Sequence, residues 1–199
     1  MRPARALARA GFTLLEAMIA MTLIGLVLTK LTLVMDEARR AHEQESLAMA
    51  LEDQAMELVD RISYAIVGAA RDKLTPDNAA PLSMDELRYQ VSLGVEDGKP
   101  VWSDPEMIRL EENTGQLKWG QNVGEVNERV VVWADTVSQM LEDELMNGVD
   151  DNGNQLADEL GLAFVVDARS VTIRLTLERT GDGGKKIQVT RETTVTCRN

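Results

Sequence analysis

A nearly uninterrupted apolar run at residues 12–35 constrains this 199-residue chain more than any other feature. Glu16, Lys30 and a few threonines are the polar members of the run. A helix that rises 1.5 Å per residue needs about 20 such residues to cross the ~30 Å hydrocarbon layer of a membrane. Residues 12–35 are therefore predicted to form a membrane-spanning helix.

The residues before this helix predict its orientation. Arg2, Arg5 and Arg9 precede the apolar run without any acidic residue, whereas the far end of the run contains only Lys30. Because positive charge stays on the cytoplasmic side, we expect a cytoplasmic N-terminus and a periplasmic or external remainder. An ordinary secretory signal would place its apolar stretch before the cut site, and this chain has none there. The expected topology is therefore a single membrane pass.

Glu16 is the unusual residue of the apolar run. An ionised carboxylate inside a lipid-facing helix costs roughly 2.5–3.5 kcal/mol unless it finds a partner or water. Cleavage between Gly11 and Phe12 would create an amine one helical turn from Glu16, and that amine, or one from a neighbouring subunit, would supply the missing charge. Alternatively, Glu16 stays near the headgroups and needs no special partner. The charge pattern alone leaves both alternatives open.

The sequence Gly-Phe-Thr-Leu-Leu-Glu at residues 11–16, after a short basic leader, resembles the prepilin cleavage motif. Type IV pilins and type II secretion pseudopilins carry this motif. The resemblance implies that a prepilin peptidase cuts after Gly11 and methylates the new amine of Phe12. It also implies that Glu16 pairs with the N-terminus of a neighbouring subunit during filament assembly.

The fold expected from these patterns and from the resemblance is α+β and pilin-like. A long N-terminal helix, transmembrane in its first half, would pack on a C-terminal antiparallel β-sheet. The expected organisation is a leader at residues 1–11, a transmembrane part at 12–35, a periplasmic helical part at 36–73 and a globular head at 74–199. By resemblance, the partners are the prepilin peptidase, other pilin or pseudopilin subunits, the inner membrane and the assembly platform of a secretion or pilus machinery. The resemblance also implies a single-pass location in the inner membrane with the head in the periplasm, with a cell-surface filament as the alternative.

The helical pattern continues beyond the membrane to about residue 73. Apolar residues recur there at intervals of three and four, the spacing that places one stripe of a helix against a core. We expect that stripe to pack against the sheet. Its members are Leu47, Leu51, Ala55, Leu58, Ile62, Ile66 and Ala69.

Strand signals dominate the second half of the chain. The sequence predicts a hairpin from residues 107–110 and 117–119, a buried strand at 130–133, and a second hairpin from 171–178 and 187–196. Between helix and sheet, the proline-rich residues 74–105 are expected to form a connecting region. Within it we expect a helical turn near Ser83, where Ser-Met-Asp-Glu resembles a capping box, and a strand around 87–93.

An acidic, asparagine-rich stretch at residues 147–159 is a candidate calcium loop. Calcium takes six to eight oxygen ligands, and the start of an EF-hand loop supplies them from alternate positions. Two departures argue against a full EF-hand: Gln155 replaces the usual glycine, and Gly161 replaces the final glutamate. We therefore weigh a shorter calcium loop against a metal-free surface turn. The candidate ligands are Asp150, Asn152, Asn154, the carbonyl of Leu156, Asp158 and Glu159.

Composition limits other functions. The net charge of −12 becomes more negative once the leader is removed, which disfavours nucleic acid as a partner. One cysteine, Cys197, cannot form an internal disulfide, and His42 has no second histidine or cysteine nearby in sequence. No nucleotide-binding, serine-nucleophile or HExxH motif is present, so we predict that the chain is not an enzyme.

The expected function is a minor pseudopilin or pilin subunit at or near the tip of a type II secretion pseudopilus or type IV pilus. The chain length and strand-rich tail resemble the J-type minor pseudopilins. The alternatives are a major pilin, a surface adhesin or DNA-uptake pilin, and an anchored periplasmic enzyme. Abundance in purified filaments would distinguish a major from a minor subunit.

Overall fold

The computed structural model describes residues 13–79, 82–181 and 184–197, and the chain divides into two compact units, residues 1–43 and 44–199. Helix α1, Leu14–Ile66, begins in the first unit and ends in the second. Its apolar part has a mean hydropathy of 2.1 over 18 residues, and no residue of that window is buried. By length and composition this helix can cross a membrane.

Helix α1 ends at Ile66, so the expected extension to residue 73 is wrong. The amide of Ala69 already bonds the carbonyl of Ile66 in a tight turn, and the carbonyl of Gly68 accepts a bond from Ser92 at 3.3 Å. A Cβ atom on Gly68 would lie 2.9 Å from Val91 Cγ1. The helix therefore ends two residues before a glycine, a poor helix former, where the backbone closely approaches Val91. A short 3₁₀ turn follows at Arg71–Lys73.

The strands all belong to the second unit and pair antiparallel. In chain order they are β1 (Glu86–Tyr89), β2 (Ser92–Glu96), β3 (Lys99–Trp102), β4 (Glu106–Glu111), β5 (Gln116–Gln121), β6 (Arg129–Ala134), β7 (Leu162–Asp167), β8 (Ser170–Thr180) and β9 (Lys186–Thr196).

Three sheets result from this pairing. The first sheet has the order β1-β4-β5-β6, β2 and β3 form a two-stranded ribbon, and the second sheet has the order β7-β8-β9. Two backbone hydrogen bonds between Met84 and Phe164, of 3.1 and 2.7 Å, link the two larger sheets. A long helix followed by antiparallel sheets confirms the expected α+β layout.

The apolar stripe of α1 forms the centre of the core, as predicted. Leu51, Ala55, Ile62 and Ile66 are fully buried, and Leu58 is nearly so. They share one hydrophobic cluster with residues of both larger sheets, which include Leu87, Ile108, Leu117, Phe164, Ile173 and Leu175. The last 23 residues of α1, from Gln44 onward, therefore belong to the compact head rather than to a separate stalk.

Both predicted hairpins are present. Strands β4 and β5 pair from Glu106↔Gln121 to Glu111↔Gln116, and β8 pairs with β9 along their full length. The helical turn predicted near Ser83 is wrong, because Met84 bridges Phe164 and β1 begins at Glu86. Pairing with a residue 80 positions away outweighs the local capping signal.

Strand β6 is present as predicted, but its three valines are not buried. Val130, Val131 and Val132 keep 48, 46 and 48% of their surface exposed, although the apolar sequence is typical of a buried strand. Among the described strands, β6 pairs only with β5 and therefore forms an edge of the first sheet. Edge position accounts for the exposure.

Candidate functional site

The first candidate site is the N-terminal end of α1. Gly11 and Phe12, the predicted cleavage and methylation residues, lie outside the described residues. Thr13 precedes the first helical residue, and Glu16 lies in the first turn. The predicted pairing of Glu16 with an N-terminal amine therefore stays a prediction.

Thr13 and Glu16 form a reciprocal cap. The Thr13 amide and hydroxyl donate to Glu16 Oε2 at 2.9 and 3.0 Å, and the Glu16 amide donates to Thr13 Oγ1 at 3.3 Å. These bonds are those of a capping box, which satisfies amides that a helix start leaves without partners. In the single chain the Glu16 carboxylate thus already has two donors. The Thr-x-x-Glu spacing was a sequence signal for this cap, and sequence reasoning missed it.

The apolar side chains on both sides of Glu16 are uncovered in the single chain. Leu14, Met21 and Val27 expose 82, 75 and 66% of their surface, and other apolar residues of this part of α1 are similarly exposed. The hydroxyls of Thr22 and Thr29 bond backbone carbonyls of their own helix at 2.8 Å. This segment can therefore face lipid or other apolar helices without leaving these two hydroxyls unsatisfied.

The second candidate site is the loop after β6 that contains residues 147–159. Asp150 accepts the amides of Gly153, Asn154 and Gln155 at 2.6, 3.1 and 2.7 Å. Gln155 has a φ of 74°, the left-handed conformation that glycine normally adopts at this position of a calcium loop. The backbone thus turns sharply here even without the glycine.

The predicted ligand residues divide into two groups. Asn154 Nδ2 contacts Glu159 Oε2 at 2.5 Å, which brings these side chains together. Asp158 Oδ1 instead accepts the amides of Asn147 and Gly148 at 2.7 and 2.8 Å. Among the residues described, no group of three or more His, Cys, Asp or Glu has the arrangement of a metal site. An ion in this loop would depend on amide and backbone carbonyl oxygens in addition to Asp150.

Two buried glutamates hold this loop. Glu144 is only 4% exposed and accepts the amides of Asp151, Asn152 and Asp158 at 3.0 to 3.1 Å. Glu159 is fully buried and accepts Arg174 Nη1 at 2.9 Å. Sequence reasoning missed Glu144, because no local pattern shows that its side chain meets backbone amides 7 to 14 residues away.

A third polar cluster lies between β1, β4 and β5. The Tyr89 hydroxyl donates to Glu106 Oε2 at 2.7 Å, and Trp119 Nε1 donates to the same oxygen at 3.1 Å. Burial, together with the nearby Glu106 carboxylate, raises the pKa of Tyr89 well above its usual range. Each polar group has a partner, as expected for a structural network.

Cys197, His42 and two tryptophans are the other residues to consider. Cys197 is buried, and its Sγ lies 3.9 Å from the Ile66 carbonyl. Burial raises the pKa of this thiol, which disfavours the nucleophilic thiolate. His42 is exposed on α1. Trp119 and Trp133 stack with their centroids 6.2 Å apart, and Arg61 lies 4.8 Å from the Trp133 ring.

Comparison with known proteins identifies the N-terminal segment. Residues 7–29 match the family model described as the prokaryotic N-terminal methylation motif. No curated protein and no solved structure matches the chain. The motif implies processing by a prepilin peptidase and assembly with other pilin subunits.

The matched residues include Gly11, Phe12 and Glu16, and they extend into the apolar part of α1. The resemblance drawn from residues 11–16 is thereby confirmed for the N-terminal segment. At its N-terminus, the chain carries the methylation motif that is the hallmark of type IV pilins and pseudopilins.

Proposed function

We propose that this chain is a minor pseudopilin or pilin subunit that joins a type II secretion pseudopilus or a type IV pilus at or near its tip. The observation that carries the proposal is the methylation motif at residues 7–29, continuous with an exposed apolar helix. After cleavage, α1 would anchor the subunit in the inner membrane with its head in the periplasm. On assembly, apolar helices of other subunits would replace lipid around it.

Glu16 has a defined part in this proposal. In the single chain, its carboxylate bonds the Thr13 amide and hydroxyl. A cationic N-terminal amine from a neighbouring subunit would interact more strongly with that carboxylate than two neutral donors do, because the lipid interior screens charge weakly. Glu16 would therefore favour the assembled state over the free subunit.

Substitution of Glu16 tests this role. We expect Glu16→Ala to be processed normally but lost from sheared filament fractions, because cleavage after Gly11 does not use the carboxylate, whereas the proposed pairing on assembly does. Glu37→Ala is the matched control, since Glu37 is an exposed glutamate farther along the same helix. Normal recovery of Glu16→Ala in filaments would contradict the proposal. The ratio of this chain to the other subunits in those filaments separates a minor from a major subunit.

We also propose that residues 150–159 bind calcium. Support comes from the alternate oxygen-bearing residues Asp150, Asn152 and Asn154 and from the left-handed turn at Gln155. The Asn152 and Asn154 side-chain oxygens now accept amides two residues ahead, at 3.0 and 2.9 Å. A calcium ion would share or replace these bonds and tie the loop more firmly to the head.

Thermal unfolding of the full-length chain in detergent tests calcium binding. We expect calcium to raise the Tm of the wild type and of Asp53→Asn, which changes an exposed aspartate on α1. Asp150→Asn should lose the calcium response, since it removes the predicted first ligand. An identical wild-type Tm in calcium and in chelator would contradict the proposal.

A further inference from the structure

The loop at residues 147–159 contains both Asn-Gly steps of the chain, Asn147–Gly148 and Asn152–Gly153. All four residues are exposed. An asparagine before glycine is prone to deamidation, because glycine has no side chain to keep its backbone nitrogen away from the asparagine Cγ atom. The reaction consumes water and no other reagent. The hydrogen bonds of the loop therefore determine which of the two asparagines reacts in the folded head.

The side chain of Asn147 is held at both of its polar atoms. Oδ1 accepts the amide of Val149 at 2.8 Å, and Nδ2 donates to Asp151 Oδ2 at 2.7 Å. To bring its Cγ atom to the Gly148 nitrogen, Asn147 would have to break these bonds. We therefore expect the folded head to protect Asn147.

The side chain of Asn152 is held less firmly. Its Nδ2 lies 3.5 Å from Glu159 Oε2, beyond the usual length of a hydrogen bond. Its Oδ1 accepts the Asn154 amide at 3.0 Å. That amide also donates to Asp150 Oδ1 at 3.1 Å, so it keeps a partner when Asn152 turns away. Rotation of the Asn152 side chain therefore costs less than rotation of Asn147.

A carboxylate lies beside the nitrogen that would attack Asn152. The Gly153 amide donates to Asp150 Oδ1 at 2.6 Å, within the reach of a general base that takes this proton. The Gly148 amide has a similar acceptor in Asp158 Oδ1, at 2.8 Å. The acceptor is thus common to both steps, and the hold on the asparagine side chain is what distinguishes them.

We propose that Asn152 is a site of spontaneous deamidation in the folded head, with water as the co-reactant. The Gly153 nitrogen bonds to Asn152 Cγ while its proton passes to Asp150. The bond between Cγ and Nδ2 breaks, and Nδ2 takes up that proton and leaves as ammonia. Water then opens the cyclic imide at one of its two carbonyl groups. The products are aspartate and isoaspartate at position 152.

Either product adds a negative charge to a loop that the buried carboxylates of Glu144 and Glu159 already hold. Isoaspartate also places an extra methylene in the main chain between Asn152 and Gly153. The loop of an old subunit would therefore differ chemically from that of a new one. The modification does not depend on calcium, so failure of the calcium proposal leaves this one unaffected.

Peptide mapping by mass spectrometry tests the proposal on the full-length chain, incubated in detergent with a chelator. Fragment ions assign each conversion of amide to acid to one asparagine, and chromatography separates isoaspartate from aspartate. We expect Asn152 to deamidate faster than Asn147 in the folded chain. In denaturant, the two should react at similar rates, because glycine follows both. Equal rates in the folded chain, or a faster reaction at Asn147, would overturn the proposal.

Two neighbouring aspartates give a matched pair of variants. Asp150→Ala should slow the reaction at Asn152 by roughly tenfold, below the ~100-fold that a positioned base contributes in an enzyme. A merely structural role of Asp150 predicts the opposite sign, because its loss would loosen the loop. Asp151→Ala should release Asn147 and raise its rate toward that of Asn152. Faster deamidation of Asn152 in Asp150→Ala would overturn the role of Asp150, and an Asn147 still protected in Asp151→Ala would overturn the stated cause of the selectivity.

Discussion

Glu16 illustrates how one residue can have a local and an intermolecular role. In the single chain, Thr13 and Glu16 cap α1 by three hydrogen bonds of 2.9 to 3.3 Å. The same carboxylate is the proposed partner of a neighbouring N-terminus. In the proposed function, these local bonds would lower the cost of the Glu16 carboxylate in the membrane until assembly offers a cationic donor.

The raised pKa of Tyr89 predicts how the stability of the head changes at alkaline pH. In the unfolded chain the tyrosine titrates near pH 10. Because the pKa of Tyr89 is raised in the folded head, its phenol stays protonated at higher pH there than in the unfolded chain. Stability is therefore fully present below about pH 10 and falls as the pH rises above that value. Denaturant unfolding in detergent between neutral pH and pH 11 would measure this decline. Tyr89→Phe should unfold with a smaller alkaline loss, and an equal loss in both proteins would contradict this account.

Among the described glycines, Gly161 leaves the least space for a side chain. An added Cβ would lie 1.9 Å from the Ser138 carbonyl oxygen, a backbone atom that cannot move independently. We expect Gly161→Ala to destabilise the head by about 3 kcal/mol, the upper part of the usual range for overpacking. Gly153→Ala should cost only about 1 kcal/mol, because its φ of 78° is strained but open space surrounds it. Equal midpoints for the two variants in denaturant unfolding would refute this.

Gly161 also explains a departure noted in the sequence. A complete EF-hand would have glutamate there, yet the Ser138 backbone occupies the space in which its side chain would begin. The loop therefore cannot complete that ligand set and instead uses Glu144 and Glu159 to hold its backbone and neighbouring side chains. Any calcium site in this loop must be shorter than an EF-hand.

Helix α1 shows which elements are predictable from sequence. The stripe that begins at Leu47 identified the packed face, because burial of one helix face imposes a period of 3.6 residues. The hairpin of β8 and β9 was equally visible, since alternating side chains and a glycine-rich turn are both local signals. Features that depend on distant partners were not predictable in this way. In the Ser83 region, Met84 forms a bridge to Phe164, and β6 lies at an edge of the first sheet.

The stripe of α1 yields a matched pair of variants. Ile62 is fully buried, whereas Met56, outside the buried stripe of the same helix, is 51% exposed. We expect Ile62→Ala to lower the free energy of unfolding by about 2–5 kcal/mol, because it leaves a cavity in the core. Met56→Ala should change it by less than about 0.5 kcal/mol, as is usual for surface positions. Denaturant unfolding of the full-length chain measures both, and similar losses would show that α1 packs by another face.

At the scale of the whole molecule, one apolar helix and one acidic head have separate tasks. The apolar residues of α1 that are exposed in the single chain can be covered by lipid or by other helices, whereas the core of the head is formed by the last 23 residues of α1 together with the two larger sheets. This separation is what a subunit needs if it first resides in a membrane and then moves into an assembly. The sequence alone predicted the anchor and its processing motif, but it could not predict how the three sheets are arranged, because their order depends on contacts between distant segments.

The central claim is that a peptidase cuts this chain after Gly11 and that the product enters a filament through its new N-terminus. Mass spectrometry of the N-terminal peptide, from cells with and without an active prepilin peptidase, tests it most directly. We predict a chain that begins with N-methylated Phe12 when the peptidase is present, and an intact leader in Gly11→Ala or without the peptidase. An unprocessed Met1 terminus in the wild type beside an active peptidase would contradict the account.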